Sequence, residues 1–366
     1  MNEIVTLSRN SPEFEKYLRG TFSNTHRALP IKSLNVNTQA EVVSFSIVPK
    51  ENIQRPSLLV IFLKAIRVRR FLFILFPLFY VLFEELRNQS LKDPWILFSS
   101  TCGLIFLYAA IQMRNDYHDH LNGLDRISTE TVSPAIQKGW ITAESVRKIS
   151  WIFAASSFLF SIPVLLVFPK ILLIMLAASV LIFWSLFRGH SSFKNSPVGE
   201  LAFGILVGPL LALGYDVSIS GQMTWKIFGF GCVWGMFVLF RLHLQNFENL
   251  MTSSQAKIKS IVNHYGFDGS KKLIIWWWFA SVLGFLIFQA MTTNFLIWSG
   301  SAVILTWMSR IFVRKINQLA SPVGSQMSET QKEGVQLFNL LVLLWSTQIL
   351  FTYFISGFFS FFIQGL

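Results

Sequence analysis

Windows of about twenty mostly apolar residues, each long enough to cross roughly 30 Å of hydrocarbon, recur along most of this 366-residue chain. They fall near 70–86, 94–113, 149–168, 170–187, 200–219, 226–245, 273–292, 294–312 and 336–362, which makes about nine spans. The chain is 52% hydrophobic and only 14% charged, whereas soluble domains carry about a quarter charged residues. One aqueous core cannot hide that much apolar surface. The expected fold class is an all-α polytopic membrane protein, because a helix satisfies its own backbone inside lipid.

The net charge of +12 needs a reading of its own. The basic residues do not form a stripe and no nucleic-acid motif accompanies them, so nucleic acid is excluded as a partner. They sit between apolar runs and sort by side. With the amino terminus inside, the inward loops hold Arg114, Arg126, Lys138, Arg147 and Lys148, then Arg188 and Lys194, then Lys257, Lys259, Lys271 and Lys272, then Arg314, Lys315 and Lys332. The outward connections hold Arg87, Lys92, Lys170 and Lys226. That asymmetry predicts a multi-pass protein of the inner (cytoplasmic) membrane, amino terminus cytoplasmic and carboxy terminus outside. Trp95, Trp151, Trp225 and Trp276 lie near span ends and suit an interfacial belt.

Residues 1–56 read as a polar cytoplasmic extension, with 57–366 as the transmembrane domain. The extension offers a helix start at Ser11 and Pro12 and no chemistry. Ser57 to Arg70 reads as an amphipathic helix at the interface, with Lys64, Arg67, Arg69 and Arg70 against Leu58, Leu59, Ile61 and Phe62. Cys102 and Cys232 fall inside apolar runs without metal-ligand spacing and read as small buried hydrophobes.

Chemistry concentrates in the segment from Asn115 to Asp125. Asp116 and Asp119, three apart on a helix, project from one face, and Asp125 follows just past Gly123, where the chain can turn. Clustered carboxylates at a membrane boundary repel one another. A hard divalent cation relieves that, and Mg²⁺ typically uses one or two carboxylates plus phosphate oxygens. Spacing alone leaves two readings open, a magnesium–diphosphate site and a solvated acidic loop. His118 and His120, two apart, face different sides of a helix and make a poor metal pair.

Here the chain resembles a family. Asn115, Asp116, Asp119, Gly123 and Asp125 match the Asn-Asp-x-x-Asp motif, continued to Gly-x-Asp, of the UbiA-type intramembrane prenyltransferases, in the branch that prenylates dihydroxynaphthoate in menaquinone synthesis. Arg67 to Pro77 is similar to its opening segment, Ala135-Ile136-Gln137-Lys138-Gly139 to the close of its first cytoplasmic loop, and Gly199-Glu200, Gly208-Pro209-Leu210 and Leu213-Gly214 to its fifth span. The resemblance covers the chain from about residue 60 onward. It implies about nine helices around a central cavity, with Asp116, Asp119 and Asp125 as magnesium ligands and Asn115 beside them in the catalytic motif. It further implies a polyprenyl diphosphate donor, an electron-rich aromatic acceptor, and substrate contacts from Asp125, Lys138, Glu200, Asn246, Asn249, Lys257 and Lys259. An aromatic-lined dry cavity would shield the allylic cation.

The match breaks at the family's second motif. Where it has aspartates this chain has Asn249 and Ser253, weaker magnesium ligands than a carboxylate. Glu248 is the nearby acid, but a one-residue offset turns it about 100° around the helix. Pro134 stands where the family usually has an arginine. Two outcomes remain open, an active enzyme with a weaker second metal site and a diverged paralogue that binds isoprenoid or quinone without transfer. A transporter, the reading from another class, would place ionisable groups at mid-membrane depth. Arg241, His243 and Asp216 lie instead near span ends.

Overall fold

The structure, a computed structural model, describes residues 3–127, 134–168, 198–256, 259–322 and 324–364, together with Leu173, Ala177 and Val180. In chain order the elements are β1 (Glu3–Ser8), α1 (Phe14–Arg19), β2 (His26–Leu34), β3 (Val42–Pro49), α2 (Leu58–Ala65), α3 (Leu72–Arg87) and α4 (Pro94–Leu121). After them come α5 (Leu124–Ile127), α6 (Pro134–Gln137), α7 (Ala143–Val167), α8 (Gly199–Ile205), α9 (Leu211–Ser220) and α10 (Trp225–Glu248). The last are α11 (Leu250–Gln255), α12 (Ile261–Thr292), α13 (Phe295–Gln318) and α14 (Ser325–Gln364). Among the described residues seven helices are long and apolar enough to cross a membrane, with α8 and α9 counted as one. The protein is therefore a polytopic, multi-pass helical membrane protein. The span expected near 70–86 is α3, which at 16 residues is shorter than those seven. The span expected near 170–187 falls outside the described residues, the three isolated ones apart.

The contacts divide the chain into two compact units. The first comprises Met1–Phe71, Cys102–Ser161 and Met251–Ile258. Its amino-terminal part is a three-stranded antiparallel sheet in the order β1-β3-β2. Alternation along β3 turns Val43 and Phe45 inward, where they pack with Phe14 and Leu18 of α1, and Leu121 from the end of α4 packs against the same core. The sequence reading has no sheet here. Its signal was present in Val42-Val43-Ser44-Phe45-Ser46-Ile47-Val48, a β-branched, alternating run. The helix expected from Ser11 begins instead at Phe14, and Ser11 closes a turn by accepting from the Glu13 N–H at 3.4 Å.

Downstream, Ser57 caps α2 by accepting from Val60 N–H. The interfacial helix expected to run to Arg70 ends earlier. Arg67 takes the left-handed conformation, φ 53° and ψ 54°, and a single 3₁₀ turn, Val68–Arg70, follows. Helix α4 starts at Pro94, with Asp93 accepting from Trp95 N–H at 2.6 Å, and continues unbroken through the aspartate motif to Leu121.

The second unit comprises Leu72–Thr101, Ile162–Leu250 and Lys259–Leu366. Three of its helices start at side-chain caps: Thr224 for α10, Ser260 for α12 and Asn294 for α13. Between α8 and α9 the chain makes one π-helical turn, Leu206–Leu210, at Gly208 and Pro209, which widens the helix there. At Gly208 an added Cβ would come within 2.6 Å of the Gly231 carbonyl oxygen and 2.7 Å of Gly235 Cα on α10. Small residues let these two backbones meet, the packing logic of helices in lipid.

Candidate functional site

The end of α4 gathers the expected acidic residues. Asp116, Asp119 and Asp125 are 1%, 6% and 6% exposed. The 3.6-residue period puts Asp116 and Asp119 on one face, and Asn115 donates from Nδ2 to Asp119 Oδ2 at 2.8 Å, which fixes that carboxylate. Gly123, at φ 79°, turns the chain out of α4 and starts α5, whose first turn carries Asp125.

The group that meets them is Arg67. Its Nε lies 2.5 Å from Asp116 Oδ1 and its Nη2 4.0 Å from Asp119 Oδ2. Burial alone would lower the pKa of this guanidinium, but the charges of Asp116, Asp125 and Asp119 outweigh burial and raise it. All three carboxylates therefore act on one cation. A left-handed non-glycine residue costs roughly 1–2 kcal/mol, so Arg67 is held in a strained conformation that aims it at the motif. The sequence reading had Arg67 only as part of the chain's approach to the first span. Nothing local in the sequence marks it as a partner of residues so far along the chain.

Oxygen donors around a buried positive charge suit a hard cation. Among the described residues no three His, Cys, Asp or Glu side chains gather tightly enough to hold a metal by themselves. A cation here would rest on Asp116 and Asp119 and complete its shell with ligand oxygens. His120 is committed elsewhere. Its Nε2 lies 2.9 Å from the Leu18 carbonyl and its Nδ1 3.1 Å from Gln137 Nε2, which assigns Nε2–H as donor and Nδ1 as acceptor.

The candidates on α8 and α10 form a separate cluster in the second unit. Glu200, 7% exposed, accepts from Asn246 Nδ2 at 2.7 Å through Oε1, and its Oε2 lies 2.9 Å from His243 Nδ1. His243 and Asn246 are three residues apart and share a face of α10. His243 was not among the expected site residues, although its spacing from Asn246 could have flagged it. Asn249 donates to the Gln245 carbonyl at 3.0 Å, and Glu248 lies close enough to Arg241 for their charges to interact. Ser253 is buried on α11. Lys138 is exposed, with its Nζ 5.3 Å from the centre of the Trp140 ring, and Lys259 is exposed. Lys257, like Arg188 and Lys194, lies outside the described residues.

The profile described as the UbiA prenyltransferase family matches residues 58–322, well over half of the chain. The chain belongs to the UbiA prenyltransferase family. A UbiA homolog from Archaeoglobus fulgidus, solved bound to GPP and Mg²⁺, is 14% identical with a TM-score of 0.53, and the match covers 79% of this chain and 99% of that one. A second structure, described as giving insight into digeranylgeranylglyceryl phosphate synthase in membranes, is 16% identical with a TM-score of 0.54, covering 80% and 98%. The same Archaeoglobus fulgidus homolog bound to DMAPP and Mg²⁺ matches at a TM-score of 0.51. At these identities the likeness is one of fold. No curated protein matches the chain significantly. The amino-terminal sheet lies outside the span of this UbiA match.

Proposed function

We propose that this UbiA-family protein is a magnesium-dependent intramembrane prenyltransferase acting on a polyprenyl diphosphate and an aromatic acceptor of the dihydroxynaphthoate kind, as in menaquinone synthesis. The observation that carries the reading is the convergence of Asp116, Asp119 and Asp125 on Arg67. The solved homolog bound to GPP and Mg²⁺ supports it. In this reading the amino terminus and the motif face the cytoplasm.

Asp116 and Asp119 hold the cation, and Asn115 keeps Asp119 in the rotamer that faces it. Asp125 adds negative charge near them, and Arg67 supplies the carboxylates with a counter-charge when the donor is absent. A magnesium ion held there would supply counter-charge to the leaving diphosphate. In this reading the allylic carbon–oxygen bond breaks with its electron pair on the diphosphate, a carbon–carbon bond forms to the acceptor ring, and the ring gives up its proton to the departed diphosphate. Lys138, Lys257 and Lys259 are the basic candidates for substrate contacts, and Asn246 and Asn249 the amide ones. Glu200 supports the fold of α10 through His243 and Asn246, since both of its carboxylate oxygens are engaged there. Glu200 also stays a candidate for the substrate contact that the family resemblance implies for it.

A second reading is a paralogue that binds isoprenoid or quinone without transferring it. It draws on the neutral side chains of Asn249 and Ser253. Incubating the purified protein with Mg²⁺, geranylgeranyl diphosphate and dihydroxynaphthoate, followed by mass spectrometry, separates the two. Prenylated product is expected. Asp116→Asn should lower its rate about a hundred- to a thousandfold, the range for losing one group that stabilises developing charge. Unchanged magnesium-dependent turnover in that variant would remove Asp116 from the site, and a folded wild type without product would favour the paralogue.

A further inference from the structure

The amino-terminal sheet is built onto the end of α4 that carries the aspartates. Leu121, the last residue of that helix, packs into the sheet's own hydrophobic core. One residue earlier, His120 bonds the Leu18 carbonyl of α1 at 2.9 Å. Val36, between β2 and β3, covers the turn: a Cβ on Gly123 would come within 2.1 Å of Val36 Cγ1. Glu41, 1% exposed, pairs with Arg126 at 2.8 Å and Arg9 at 3.2 Å. Apart from the Arg9 pair, which anchors Glu41 within the sheet, these contacts land on residues 120–126, the stretch that links Asp119 to Asp125.

That stretch cannot hold its own geometry. Helix α5 has 4 residues, and a single turn of helix fixes several dihedrals for one hydrogen bond, so it is unstable alone. Asp125 sits on that turn beside carboxylates that repel it. A metal-binding constellation needs its groups held within about 0.5 Å, which here requires something outside the turn. The sheet supplies it through a buried ion pair. Both side chains of that pair are 1% exposed, so removing Glu41 leaves a buried guanidinium whose bond to the Leu121 carbonyl, 3.2 Å, lies within the turn itself and no longer ties the turn to the sheet.

We propose that the amino-terminal sheet is a positioning device for the aspartate motif, with Glu41, acting through Arg126, holding the turn at Gly123 so that Asp125 stays aligned with Asp116 and Asp119. The sheet thereby tunes affinity for the divalent cation and the diphosphate donor. It has no part in acceptor recognition. This rests on the reading of the motif as a cation–diphosphate site.

The test uses the full-length protein in nanodiscs with Glu41→Gln, Glu41→Asp and Val36→Ala. Hydrogen exchange should rise in residues 118–127 of Glu41→Gln and remain unchanged in α10. Mn²⁺ binding, read by electron paramagnetic resonance, should weaken about 10–100-fold, the range for groups that orient metal ligands. KM for the prenyl diphosphate should rise with KM for the acceptor constant. Glu41→Asp should recover most of the affinity, and Val36→Ala, which leaves every charge in place, should shift exchange and Mn²⁺ affinity the same way by a smaller factor. Raised exchange with unchanged Mn²⁺ affinity would reduce the sheet to a stabilising domain and overturn the proposal, as would unchanged exchange. A wild type that binds no Mn²⁺ overturns the metal reading itself. The exchange arm then reports separately whether the sheet holds the turn.

Discussion

At the end of α4 three carboxylates act on one arginine, while on α10 one carboxylate is shared between an imidazole and an amide. Both arrangements put acidic side chains in buried positions, yet their partners differ. In the first, the carboxylates meet a guanidinium, a full positive charge. In the second, both oxygens of Glu200 have partners on α10, His243 and Asn246. The lesson is that burial alone does not characterise an acidic residue; the charge of the groups it meets does.

Removing the shared cation gives the sharpest break in this contrast. Arg67→Met leaves buried carboxylates without their counter-charge, which should cost about 3–5 kcal/mol. Mg²⁺ should then raise the melting temperature of the variant more than that of the wild type, because the ion takes over the arginine's role. An equal or smaller rise would show that these aspartates do not bind the ion in the arginine's place. Glu200→Gln addresses the other cluster. It disturbs the bonds to His243 and Asn246 and should cost about 1–3 kcal/mol, by the same amount with and without Mg²⁺ in a thermal unfolding scan. A loss that Mg²⁺ reverses would make the two clusters alike. The smallest expected effect comes from Asn249→Asp, which restores a carboxylate to the degenerate motif. If Asn249 stands where the family resemblance implies a second aspartate, the change should tighten Mg²⁺ by up to about tenfold, or 1.4 kcal/mol, measured by calorimetry. No change would mean that this end of α10 no longer contributes to cation binding.

Much of the fold was legible because it is written in local pattern. The apolar windows gave the polytopic class, since a helix long enough to cross lipid shows as one continuous apolar run. The i, i+3 spacing of Asp116 and Asp119, with Gly123 before Asp125, anticipated one face and one turn, and both are present. The interfacial helix was read too long because α2 stops short of Arg67, whose left-handed backbone is fixed by the carboxylates it meets and not by its neighbours in sequence. The sheet was missed for another reason. Its strands are short and polar on one face, and only the pairing of β3 with both neighbours makes them stable.

By itself, then, the sequence determined that this is a multi-pass helical protein with a cluster of aspartates at a helix end, because hydrophobic period and charge spacing act over a few residues. The tertiary structure decided which cation those aspartates share, that Glu200 is already occupied by His243 and Asn246, and that the amino-terminal sheet grips the turn leading to Asp125. Each of these depends on groups far apart in the chain meeting in a buried, low-dielectric setting, where a pairing is worth much more than it would be in water.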